Sequence, residues 1–309
     1  MGTPEFSVPS LERLVEEGYG PVAVATVPDV PGRRGSKLQT SAVKRAALRL
    51  GIDKVMQPES VKDPAFAADV VDLAADVIVV VAFKILPPAV YEAARLGAFN
   101  LHGSLLPRYR GAAPIHHAVL NGDRTTGVTT FFLKQKVDTG DVILRREMSI
   151  GPDETTGDVH DRMMTLGAEA VVDTVRLIEL GDVPSLPQDD TLASPAPKVF
   201  RAHAEIDWNL PAAKVHNHIR GMSPVPGAFT HHGDVILKAL RSRRRSESGA
   251  PGEVLGSEDE MIVACGDGAV EIMELQLEGR RKMSAREALR GYRLTRGELL
   301  GRPGRQAAR

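Results

Sequence analysis

Over its first two thirds the chain alternates short β-branched runs with stretches in which apolar residues recur every three or four positions. The runs VAVATV (22 to 27), DVIVVVAF (76 to 83), AFNLHG (98 to 103), GVTTFFLK (127 to 134) and VILRREMSI (142 to 150) predict strands. Between them, residues 9 to 17, 41 to 50, 64 to 74 and 112 to 121 carry helical spacing. The alternation predicts an α/β fold, a mostly parallel sheet covered by helices. Residues 77 to 81 lack polar alternation, as a central strand buried on both faces would. A longer helix is predicted from 156 to 180, where GDVPSLPQDD ends the pattern with Gly, Pro and acids.

Three segments follow from this pattern: an α/β domain over 1 to 182, an extended linker over 183 to 204 and a small β-rich domain over 205 to 309. The linker holds Pro184, Pro187, Pro195 and Pro197. Beyond it, one helix is predicted at 211 to 221, then short strands broken by glycine (GDVILKAL, GEVLG, MIVACGDGAVEIMELQLEG). The opening MGTPEFSVP reads as the loop and helix start that should follow a first strand. The expectation is therefore that the natural start lies a few codons upstream, or that Met1 is internal.

Composition narrows the class. With 309 residues and 42% apolar content the chain can build two cores. One cysteine, Cys265, excludes a disulfide framework, and no Cys and His spacing suits a zinc site, so no metal is expected. The longest apolar run, 77 to 83, is too short to cross a bilayer, and a soluble cytoplasmic protein is the expectation. The net charge of -1 hides a mildly basic final third. Basic clusters at RSRRR (241 to 245), EGRRKM (278 to 283) and PGRRGSK (31 to 37) are candidate phosphate-contacting segments, though each singly also fits a solvated surface loop.

Candidate chemistry concentrates in FNLHGSLLPRYRGAAPI, residues 99 to 115. Asn100, His102 and Ser104 alternate at a strand end, where open α/β sheets bind ligands, and a period of two puts all three on one side. A satisfied core His with an Asn closing a turn would give the same pattern, and the trio alone does not choose. A second polar element is the loop KVDTGDV (136 to 142), whose Asp138 and Asp141 suit a turn and also suit a site. An amide and an imidazole can donate to a developing oxyanion, and a carboxylate can assist proton removal from an amine. Together they fit acyl transfer to nitrogen. No nucleophile-elbow Ser or Cys accompanies them, so direct transfer is expected rather than an acyl-enzyme.

Asn100 with HGSLLPRYRGAAPI, VDTGD, the opening GTPEF, PGRRGSK, EIDW, IRGMSPVPGAFT and MSAREAL occur in an order that closely resembles the methionyl-tRNA formyltransferases, within the folate-dependent formyltransferase superfamily. The resemblance implies a Rossmann-like first domain and an OB-like β-barrel second domain. It also implies formyl transfer from 10-formyltetrahydrofolate to the α-amino group of methionyl initiator tRNA. Asn100 and His102 would hold the formyl oxygen, and Asp138 would orient His102 and move the proton. Phe83, Ile85, Leu86, Pro87, Ser104, Leu105, Leu106, Pro107 and Val137 would contact the folate. Arg33, Arg34 and Lys37 would meet the tRNA acceptor end, and Arg241, Arg243, Arg280, Arg281 and Lys282 its backbone. The chain departs from the family pattern at Lys84, where a glycine is usual, and at Val30, where a basic residue is frequent. Two other readings are a formyltransferase acting on a sugar nucleotide or other small amine, and a non-catalytic RNA-binding protein on the same scaffold. A monomer without membrane attachment is expected.

Overall fold

The computed structural model describes residues 1 to 32, 38 to 256 and 259 to 301. Arg33, Arg34 and Lys37 therefore lie outside the described residues. The elements run α1 (Val8–Glu16), β1 (Val24–Ala25), α2 (Ala42–Arg49), β2 (Val55–Met56), α3 (Pro64–Asp72), β3 (Ile78–Val81), α4 (Pro88–Tyr91), β4 (Ala98–His102), α5 (Pro114–Asn121), β5 (Thr125–Phe132), β6 (Val142–Ser149) and α6 (Thr156–Leu180). Then follow α7 (Ala212–Met222), β7 (Ala228–His232), β8 (Val235–Arg245), β9 (Val254–Gly256), β10 (Met261–Ala264), β11 (Ala269–Leu277), β12 (Met283–Ser284) and α8 (Ala285–Leu289). Two compact units result. One comprises residues 1 to 114, 125 to 149 and 160 to 196, the other 115 to 124, 150 to 159 and 197 onward.

In the first unit, local chemistry starts the helices. Ser41 caps α2 by accepting from the Lys44 N–H at 3.0 Å, and Asp63 caps α3 through the Ala65 N–H at 2.9 Å. β1 pairs with β2 and β3 with β4, both parallel. β5 and β6 then extend the sheet antiparallel, in the order β3-β4-β5-β6. The sheet is thus Rossmann-like and parallel through β4, and mixed beyond it. β6 cannot run parallel to β5 because the intervening residues 133 to 141 hold no crossover helix. Ile78, Val80 and Val81 of β3 are buried, as the unbroken apolar run predicts. On the side of β4 that carries Leu101, α6 packs closely. A Cβ on Gly167 would lie 2.7 Å from Leu101 Cδ2.

Met1 and Gly2 occupy a place between β1 and β3. The Gly2 N–H donates to Ala25 O at 3.0 Å, and the Val81 N–H donates to Met1 O at 2.9 Å. Met1 and Gly2 thus lie in extended pairing, with Gly2 bridged parallel to Val81.

The predicted linker is shorter than 183 to 204. Leu186 exchanges two backbone hydrogen bonds with Val142 at 2.8 and 3.0 Å, and Arg110 and Ala196 pair at 2.7 Å, so residues up to 196 pack onto the first unit. The prolines there lack N–H groups, but their neighbours supply the donors.

The second unit is an antiparallel sheet curved as a half-barrel, in the order β7-β8-β11-β10-β9 with β12 on β11. Ile219, Leu237, Met261, Ile272 and Leu275 fill its core. Trp208 is buried against them, and its indole N–H donates to Thr230 Oγ1 at 3.0 Å. Among the described residues, no helix is long and apolar enough to cross a membrane.

Candidate active site

β3 and β4 run side by side with Val81 opposite Leu101, so the segments that follow them leave the sheet at one edge. Asn100 and His102 share a face of β4 at that edge. His102 is 6% exposed and Asn100 half-buried. The Asn100 amide makes no hydrogen bond among the described residues. His102 Nε2 lies 2.8 Å from Tyr109 O and, facing a carbonyl, carries the proton and donates it. That assigns the other ring nitrogen, Nδ1, to chemistry. It faces Asp138 Oδ2 at 3.8 Å, too long for a hydrogen bond and close enough for an ion pair once the ring is protonated.

Asp138 reaches this position through a tightly specified loop. Its φ is +55°, a left-handed conformation that Asp tolerates better than most residues. Its Oδ2 accepts the Gly111 N–H at 2.9 Å. Gly140 lets the loop lie against β5, since a Cβ there would fall 1.6 Å from Phe132 O. Gln188 holds the loop from outside, donating to Asp138 O at 3.0 Å and Gly140 O at 2.8 Å. Arg110 in turn donates to Gln188 Oε1 at 2.8 and 3.1 Å and pairs with Asp190 at 2.7 Å.

The loop after β4 is braced with equal care. Thr129 Oγ1 donates to Ser104 O at 2.7 Å and accepts the Leu106 N–H at 3.0 Å, while Arg145 Nε donates to Leu106 O at 2.9 Å. The Leu106–Pro107 peptide is cis. Tyr109, at φ +63°, turns its carbonyl to His102 while its N–H donates to Ser194 Oγ at 2.9 Å.

Of the residues read from sequence as folate contacts, Ile85 is 70% exposed and Val137 48%. Phe83 packs partly on the core, Leu86 is buried, and Pro87 precedes α4. Lys84 turns away to donate to Glu59 O at 3.1 Å. Ser104 and Leu106 are fully buried, and the Ser104 hydroxyl is engaged with Arg108 O at 2.6 Å, so these two shape the loop. Leu105 and Pro107 are half-buried beside them. Sequence reading missed Thr129, Arg145, Gln188 and the backbone roles of Tyr109 and Gly111. Only the last two lie in the stretch singled out for chemistry, 99 to 115.

The basic residues of the second unit divide into two groups. Arg241 pairs with Asp158 at 2.6 Å, and Arg243 with Glu271 at 2.6 Å; Arg245 bonds the same Glu271 at 2.8 Å. Arg243, Arg245 and Glu271 form a neutralised ladder across β8 and β11, and Arg241 is held by Asp158 of α6. Arg280, Arg281 and Lys282 are exposed on the turn after β11, where Arg281 meets Glu287 at 2.5 Å.

A family model described as formyl transferase matches residues 1–175, and one described as formyl transferase, C-terminal domain, matches residues 198–293. Curated relatives include a methionyl-tRNA formyltransferase of Chlorobium luteolum, 51% identical over 95% of this chain and 96% of that protein. Another, from Ruminiclostridium cellulolyticum, is 43% identical over 98% of each chain. Among solved structures, WlaRD, a sugar 3N-formyl transferase crystallised with dTDP and 5-N-formyl-THF, superposes with a TM-score of 0.66. It covers 91% of this chain and 97% of its own at 18% identity. An N-formyltransferase from Helicobacter canadensis in complex with folinic acid and dTDP-3-aminofucose gives 0.64, with the same coverage and identity. Both likenesses concern the fold.

Proposed function

Because this chain belongs to the formyl transferase family, we propose that it transfers the formyl group of 10-formyltetrahydrofolate to the α-amino group of methionine on initiator tRNA. The reading rests on relatives of that name that match both units over nearly their whole length. Within the chain it rests on one observation. His102 has Nε2 tied to Tyr109 O and Nδ1 turned to the Asp138 carboxylate, beside an Asn100 amide with its donors uncommitted.

The amine nitrogen attacks the formyl carbon, and negative charge gathers on the formyl oxygen. The Asn100 amide and a protonated His102 Nδ1 are the donors for that oxyanion. Asp138 steadies the imidazolium and helps take the proton from the attacking amine. As the tetrahedral intermediate collapses, the new C–N bond stays, the bond from carbon to folate N10 breaks, and N10 receives the proton. Phe83, Ile85, Leu86, Pro87 and Val137 are the folate contacts in this reading, with Leu105 and Pro107 at its edge. The tRNA is assigned to Arg33, Arg34 and Lys37 and to Arg280, Arg281 and Lys282. The ion-paired Arg241 and Arg243 contribute less.

The test is formyl transfer to methionine-charged initiator tRNA, run beside uncharged tRNA and an amino-sugar nucleotide. Transfer to the charged tRNA alone supports the reading. Transfer to the sugar nucleotide alone overturns it.

A further inference from the structure

Two consecutive peptide planes stand between the reacting pair and the segment 194 to 196, and each is bonded on both sides. In the Tyr109–Arg110 peptide the C=O accepts from His102 Nε2 at 2.8 Å, while the N–H donates to Ser194 O at 2.9 Å. In the Arg110–Gly111 peptide the N–H donates to Asp138 Oδ2 at 2.9 Å, while the C=O accepts the Ala196 N–H at 2.7 Å. A trans peptide is planar and points its N–H and C=O in opposite directions, so fixing one end of the group aims the other. Ser194 adds a third bond, its Oγ accepting the Tyr109 N–H at 2.9 Å. That bond steadies Tyr109 at φ +63°, a conformation that a β-carbon disfavours. Gly111 allows the close approach. It stands at φ +126°, and a Cβ there would lie 2.6 Å from Ala196 O. Tyr109 and Ala196 are buried, which keeps water from competing for these groups.

We propose that residues 194 to 196 are a positioning element for the transfer reaction, with Ser194 as its side-chain contact. Acting through the two peptide planes, they hold the proton of the neutral His102 ring on Nε2 and the Asp138 carboxylate beside Nδ1. The inference rests on the roles given to His102 and Asp138 in the formyl-transfer reading. A neutral imidazole carries one proton, which goes to the nitrogen with the better acceptor in reach. Left alone, the ring would turn its N–H to the Asp138 carboxylate, since an ionised acceptor is stronger than a carbonyl. The bond to Tyr109 O, at 2.8 Å against 3.8 Å to Asp138, reverses that preference. Nδ1 is then the basic nitrogen, able to gain a proton beside the carboxylate and to donate it to the formyl oxygen. With the carbonyl turned away, the basic nitrogen would be Nε2, which faces the loop. The Ser194 hydroxyl bonds the Tyr109 N–H and not the reacting pair, so it acts by orientation alone.

Variants of the full chain test this. Ser194→Val removes the acceptor for the Tyr109 N–H, Ser194→Thr keeps it at similar volume, and Gly111→Ala pushes the two segments apart. The His102 tautomer is read from the ring-nitrogen shifts of isotope-labelled protein without substrate, at the alkaline end of the ring's titration, with His102→Gln to assign its signals. The parent and Ser194→Thr are expected to carry the proton on Nε2. In Ser194→Val and Gly111→Ala a measurable share of it should move to Nδ1. Formyl transfer should follow, with kcat lower by about tenfold in Ser194→Val, KM for folate and tRNA within about twofold, and both restored in Ser194→Thr. A ring that stays protonated on Nε2 in Ser194→Val overturns the proposal whatever the rate does, because a brace for the fold alone would cost stability and leave the tautomer unmoved. Equal losses in Ser194→Val and Ser194→Thr overturn it as well, since the hydroxyl would then be idle. The ring spectrum needs no substrate, so it decides this inference even where the chain transfers formyl to another amine. If Gly111→Ala does not fold, the Val and Thr pair at the half-buried Ser194 carries the test.

Discussion

His102 is held by one hydrogen bond and faces its partner across a gap, so its two ring nitrogens have different work. His102→Ala should lower transfer by at least about 10²-fold with circular dichroism unchanged. Near-normal turnover would refute the proposed chemistry. Asn100→Ala should lower kcat by roughly 10² to 10³, the usual loss when one oxyanion donor is removed, with folate KM little altered. Gln188 touches neither reacting group. Its amide holds the carbonyls of Asp138 and Gly140, so Gln188→Ala should reduce kcat several-fold through a displaced carboxylate. Gln188→Glu should do no better, because a carboxylate cannot donate to carbonyls. Full activity of either variant would remove Gln188 from the mechanism.

At the scale of elements, the loop between β5 and β6 is the most constrained part of the site. Gly140→Ala puts a methyl group against Phe132 O and should destabilise the fold by about 1 to 3 kcal/mol, read from urea unfolding, with transfer reduced as well. The ladder on β8 and β11 behaves differently. Arg243 is half exposed and the buried Glu271 keeps Arg245 as a partner, so Arg243→Ala should change stability by less than about 1 kcal/mol. Replacing Arg280, Arg281 and Lys282 together by alanine should weaken tRNA binding and flatten its dependence on salt, by close to one unit of slope per lost phosphate contact. An unchanged slope would move the tRNA away from this turn.

For the whole molecule, acid is the weak side. On α7 His216 is buried and His218 half-buried, and the loss of hydration pushes both pKa values below the ordinary 6.5. His216 bonds Pro152 O at 2.9 Å and Ser242 Oγ at 3.0 Å as a neutral ring. The unfolded chain therefore binds more protons below pH 6.5, and stability must rise with pH through that window. The Met1 amine, lowered to about 5, acts with the same sign between pH 5 and 8. Urea midpoints should accordingly fall from pH 8 to pH 5. His216→Gln should flatten the part below 6.5. A midpoint independent of pH would contradict the burial of these groups.

The order of residues alone determines much of this molecule. The period of apolar positions marks β3, β4, β8 and the long α6 because burial on one or both faces writes a repeat into the chain. Strand parity puts Asn100 and His102 on one face, since alternation needs only local geometry. Four other features depend on contacts between residues far apart in sequence. These are the approach of Asp138 to His102, the use of His102 Nε2 by Tyr109 O, the brace of Gln188 from a segment that reads as a loose linker, and the neutralisation of the β8 arginines by Asp158 and Glu271. Local pattern carries the elements because hydrogen bonding and burial repeat along a helix or strand. The site and its charges belong to the folded chain, where loops with no repeat are fixed by what they meet.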